Sequence, residues 1–94
     1  MIYTIYDAGV LRFLHQHPDL LEVLAEALPH LEELFAPVSV VLRMGTFDEK
    51  LWGYIQTALP EDVAIKHLRE LDDIWFLRQA GRTKDLFNFN LRCL

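Results

Sequence analysis

From Phe87 to Arg92 the chain reads Phe-Asn-Phe-Asn-Leu-Arg, an unbroken alternation of apolar and polar residues. Successive side chains of a strand point to opposite faces, so this segment suits a sheet with one face buried and the other wet. The strand is expected over Asp85 to Arg92. A sheet covered on one side needs helices on that side, which makes a two-layer α+β sandwich the architecture to expect.

Two more strands precede it. Val38 to Met44 is rich in β-branched residues and bounded by Pro37 and Gly45. Its Val38, Val40, Leu42 and Met44 face one way, and Ser39, Val41 and Arg43 the other. After a hairpin-sized loop, Gly45 to Glu49, the segment Lys50 to Ala58 sets Leu51, Gly53, Ile55 and Thr57 against Trp52, Tyr54 and Gln56. These two strands are expected to form an antiparallel hairpin. Met1 to Tyr6 is β-prone but short, and reads as an edge strand or as a lead-in to the first helix.

The rest is helical. Asp7 is a good N-cap for a short helix ending near His15 to His17, with Val10, Leu11 and Leu14 on one face. His17-Pro18-Asp19 breaks and restarts the helix, because the residue before proline avoids the helical region and proline suits a first turn. The next helix carries a stripe of Leu20, Leu21, Leu24, Ala27, Leu28 and Leu31, with Glu22, Glu26, Glu32 and Glu33 mostly off it. Pro29 either kinks this helix or opens a second short one, and Ala36-Pro37 ends it. Pro60-Glu61-Asp62 opens a helix expected to run to about Ala80 and stop at Gly81, burying Ala64, Leu68, Leu71, Ile74 and Trp75. The expected order is α-α-(α)-β-β-α-β, one domain over residues 1–94. The sheet is expected to be three-stranded and antiparallel in the order 2-1-3, the last strand lying against Val38 to Met44.

Composition narrows function. Net charge is −5, and residues 7–35 carry six acids against one base, Arg12. That argues against nucleic acid, whose binding depends on concentrated Lys and Arg, and suits a basic protein partner. A late basic cluster, Arg78, Arg82, Lys84 and Arg92, reads as a solvated helix end. The single cysteine, Cys93, permits no internal disulfide and belongs to no CxxC motif, which fits a reducing cytoplasm. Residues 1–9 lack the basic and long apolar regions of a signal peptide, and no apolar run approaches the roughly 18 residues that span a bilayer. A cytoplasmic protein without a membrane partner is expected.

No catalytic signature is visible. Ser39 is the one serine, there is no GxSxG, and the four glycines are isolated, so no phosphate cradle forms. Glu32-Glu33, Glu61-Asp62 and Asp72-Asp73 are adjacent on helices and point apart, whereas acid–base catalysis needs carboxyls that converge. No catalytic, cofactor or metal residues are assigned. The alternative is a small metal-dependent module or enzyme using His15 and His17 with Asp19 and Glu22, although that spacing matches no standard zinc motif.

The aromatics carry the remaining signal. If Leu51 and Ile55 face the helices, Trp52 and Tyr54 face outward beside Arg43, Asn88, Asn90 and Arg92. Aromatic, amide and arginine side chains are the composition of protein interfaces. The reversed strand would bury Trp52 and Tyr54 and expose Gly53. An aromatic sheet face with arginines also suggests a weak single-stranded RNA platform.

Taken together, His17-Pro18-x-Leu20, the acidic helix to Phe35, Tyr54-Ile55-x-Thr57, Pro60-Glu61, Leu68-x-x-Leu71-Asp72 and Trp75 resemble a group of small uncharacterised bacterial proteins of about this length. The resemblance implies a fold and no activity. The expected function is that of a non-enzymatic interaction protein, a homodimer or the acidic partner of another small protein. Its expected interaction residues are Trp52, Tyr54, Arg43, Arg92, Asn88 and Asn90 on the sheet and Glu22 and Glu26 on the acidic helix.

Overall fold

The computed structural model describes residues 3–5, 7–47 and 49–91. The elements run β1 (Tyr3–Ile5), α1 (Ala8–Gln16), α2 (Pro18–Phe35), β2 (Val38–Met44), β3 (Leu51–Thr57), α3 (Glu61–Ile74), a 3-10 helix (Phe76–Gln79), α4 (Ala80–Thr83) and β4 (Phe87–Leu91). The fold is α+β, with four helices and a mixed four-stranded sheet in the order β1-β2-β3-β4.

Local chemistry sets most boundaries. The Asp7 carboxylate accepts from the Gly9 N–H at 2.8 Å and caps α1. His17, with φ −130° and ψ 71°, leaves the helical region ahead of Pro18, and α2 starts afresh. Pro29 lies inside α2 without ending it. Proline removes one N–H from the ladder and crowds the preceding turn. The carbonyl left without that partner is Ala25's; one residue earlier, the Leu24 carbonyl accepts from the Tyr3 hydroxyl at 2.6 Å, tying β1 to α2. Burial pushes the Tyr3 phenol upward.

β2 and β3 pair antiparallel as expected, with Val41 opposite Tyr54 and Arg43 opposite Trp52, and the Gly45 N–H donates to the Lys50 carbonyl at the turn. The last strand differs from expectation. β4 lies beside β3, not β2, and runs parallel to it, Gly53 opposite Phe89. The edge of β2 is taken by β1, which pairs parallel to it with Thr4 opposite Val41. The sheet is therefore neither three-stranded nor wholly antiparallel, and the order 2-1-3 is replaced. Each half of the chain is a strand–helix–strand crossover, the connection that parallel neighbours require. The direction of β4 relative to β2 was legible; its neighbour depended on whether residues 3–5 formed a strand.

The helix expected to reach Ala80 breaks at Trp75, with φ −146° and ψ −53°. The break lets the adjacent residues Trp75 and Phe76 both enter the core. Trp75 stacks on His30 at 5.1 Å, and Phe76 meets Phe87 and Phe89 edge-on at 6.1 and 5.3 Å. Ile74, expected to be buried, is 51% exposed as a result. Gly81 lies inside α4, and the left-handed residues after that helix are Lys84 and Asp85, at φ 50° and 60°. Leu11 and Leu21 also lie outside the core, which takes Val10, Leu14, Leu20, Val23, Leu24, Ala27, Leu31 and Phe35 from α1 and α2. These pack on Val40, Leu42, Leu51, Ile55, Phe87 and Phe89, the helix-side face of the sheet.

Candidate functional site

β3 settles the orientation left open by the sequence. Leu51, Gly53 and Ile55 are buried toward the helices, and Trp52 and Tyr54 stand half-buried on the other face. Gly53 is the reason the arrangement closes. A Cβ there would lie 3.1 Å from Phe87 Cζ and from Phe89 Cδ1, so the absent side chain is the space into which those rings pack.

The register builds the opposite face in rows. Arg43, Trp52 and Asn88 lie side by side across three strands. Thr4, Val41, Tyr54 and Asn90 form the next row across all four. Ser39 and Gln56 form the third, joined by a hydrogen bond from the Ser39 hydroxyl to Gln56 Oε1 at 2.9 Å. Trp52 and Tyr54 stack at 6.5 Å with 25° between their planes. Val41 is 4% exposed, yet it stands apart from the core cluster, sheltered on this second face. Among the described strand residues the face carries no Asp or Glu, and Arg43 is its one charged side chain. The acids among the described residues lie on the helices and in the connections. Arg92 and Cys93 fall outside the described residues.

The other expected residues separate from this face. Glu22 and Glu26 on α2 both meet Arg82 of α4, Glu22 at 3.4 Å and Glu26 through a close hydrogen bond. Those contacts hold the Arg82 guanidinium protonated beyond its ordinary range. Part of the acidic surface is thus matched from within the chain, which leaves it less available to a basic partner. No local pattern announces this pairing, since Arg82 lies far along the chain from both glutamates.

His15 is exposed, and the His17 ring packs against Phe13 at 4.5 Å. Among the described residues no three His, Cys, Asp or Glu side chains converge as a metal set. A cleft of about 120 Å³ opens beside His17, Asp19, Arg82 and Lys84, where the charges are mixed. On α3, partial burial and then the neighbouring Asp73 raise the Asp72 carboxyl above its ordinary pKa. Phe47, for which the sequence carries no pattern, is 95% exposed in the β2–β3 loop. Among the described residues no helix is long and apolar enough to cross a membrane. No family model matches this chain, no curated protein matches it, and no solved structure matches it.

Proposed function

We propose that this chain is a non-catalytic protein-binding module that works through the open face of its sheet. The observation that supports this reading is the segregation of chemistry between the two layers. The described acids lie on the helices and in the connections, and the uncovered sheet face carries the stacked Trp52–Tyr54 pair, the sheltered Val41, a rim of Asn88, Asn90 and Ser39, and Arg43. Large aromatic side chains beside an arginine are the groups whose burial dominates binding between proteins. A single-stranded nucleic acid would also stack on such rings, but its phosphates need more cations than Arg43 supplies. The reading includes a cytoplasmic setting and membership of the small bacterial group that the sequence resembles.

The test compares complexes recovered with the wild type, Trp52→Ala, Tyr54→Ala and the pair Glu22→Gln/Glu26→Gln, with folding checked by circular dichroism. The expected result is loss of the bound protein with either aromatic variant and retention with the glutamine pair. Loss with the glutamine pair alone would move the docking surface to the helices and refute the proposal.

A further inference from the structure

We propose that the occupant of the open face is a second copy of this chain, related by a two-fold axis that runs along the strands between β2 and β3. This rests on the reading of that face as a docking surface. Three observations carry it.

The first is the layout of the face. β2 presents Ser39, Val41 and Arg43 at the same heights at which β3 presents Gln56, Tyr54 and Trp52. A rotation about an axis parallel to the strands keeps height and exchanges β2 with β3. Arg43 then lies over the second copy's Trp52, Val41 over its Tyr54, and Ser39 over its Gln56, each pairing occurring twice as a two-fold contact requires. An arginine over an indole is a favourable cation–π pair. A small side chain opposite a large ring fills space without collision. An axis across the strands through the Val41–Tyr54 row would set Tyr54 on Tyr54 and Val41 on Val41, large on large and small on small, and would leave Arg43 over Ser39.

The second is charge. Joining two such faces buries no carboxylate from the described strands, and the helical layers with their acids stay on the outside. Because each copy carries −5, their long-range repulsion is screened by salt. Association of two copies therefore strengthens or holds as salt rises. A basic protein or a nucleic acid would be released.

The third is area. Four strands about 4.8 Å apart and about five residues long at roughly 3.3 Å each give a flat footprint of about 320 Å² per copy. Two such footprints come to about 640 Å² before the relief of the side chains is added, below the roughly 1,000 Å² of a stable interface, which makes the pair a weak, reversible one. The same axis brings both β2–β3 loops, with their exposed Phe47 side chains, to one end of the pair.

Sedimentation equilibrium over about 1 to 500 µM tests this, with a dissociation constant expected in the tens of micromolar. Trp52→Ala and Arg43→Glu should each raise that constant at least about tenfold, and Lys66→Gln on α3 should leave it unchanged. Arg43 is exposed, so Arg43→Glu remains informative if Trp52→Ala loosens the fold. Raising salt to about 1 M should not dissociate the pair. A chain that stays monomeric throughout overturns the dimer; if Trp52→Ala still loses another protein, the docking reading survives that failure. A dimer indifferent to both face variants but dissolved by Leu77→Glu on the helical layer overturns both.

Discussion

Replacing Gly53 by alanine tests which face of β3 is the core. An alanine Cβ would meet Phe87 Cζ and Phe89 Cδ1 at 3.1 Å and Phe89 Cε1 at 3.2 Å. Ordinary carbon contacts begin near 3.5 Å, so two rings must move by a few tenths of an ångström. They have little freedom to do so. Phe87 and Phe89 lock edge-to-face at 4.8 Å, and Phe76 braces both. Overpacking of this kind costs about 1–3 kcal/mol. Alanine recovers roughly 0.5–1 kcal/mol by restricting the unfolded chain. The net expectation is a loss of up to about 2.5 kcal/mol, read as a lower urea midpoint with an unchanged slope. Adding Phe89→Leu should restore part of it, because the two sites share one space. If Gly53→Ala is stabilising, Gly53 does not face the rings. Trp52 and Tyr54 would then be core residues, and the account of the open face would fall with them.

Four further outcomes follow from the same geometry. Tyr3→Phe removes the donor to the Leu24 carbonyl and should cost about 1 kcal/mol in chemical denaturation, with no change in secondary structure. Lys84→Gly relieves a left-handed residue and should raise stability by up to about 1 kcal/mol, seen as a higher melting temperature. Arg82→Gln removes the link from α4 to Glu22 and Glu26; any fall in melting temperature should be seen at low salt and vanish near 1 M, where roughly 3 Å of screening length remains. Asp72 is held above its ordinary pKa of 3.8, so its ionisation opposes folding, and this penalty grows as pH rises from 3.8 through the raised value. Asp72→Asn should therefore be more stable than the wild type at neutral pH and equal to it below pH 3.8, as melting curves across pH would show.

Much of this fold is written in local patterns. Asp7 caps α1, Pro18 restarts the helix, β2 spans Val38–Met44 as the sequence suggests, and the alternation Phe87 to Leu91 places one face in the core. The strand pairing around them is not local. Residues 3–5 are too few to announce a strand, and only their pairing with β2 closes that edge and sends β4 to β3. The break at Trp75 is likewise set by tertiary packing: Ile74 fits the helical stripe, but the Phe87–Phe89 rings draw in Phe76.

The candidate face was half legible. Alternation paired Trp52 with Tyr54 and Arg43 with Val41, but Gly53 could be read either way until Phe87 and Phe89 were seen packed against it. The pairing of Arg82 with Glu22 and Glu26 left no sequence signal, because a contact between distant exposed residues follows no period.

The most direct test of the docking face is hydroxyl-radical footprinting of single side chains in the free and associated protein. Trp52 and Tyr54 should lose reactivity on association, while Leu11, Ile74 and Leu77 on the helical layer, all more than half exposed, should keep theirs. Protection of those helical residues with Trp52 and Tyr54 unchanged would contradict the account.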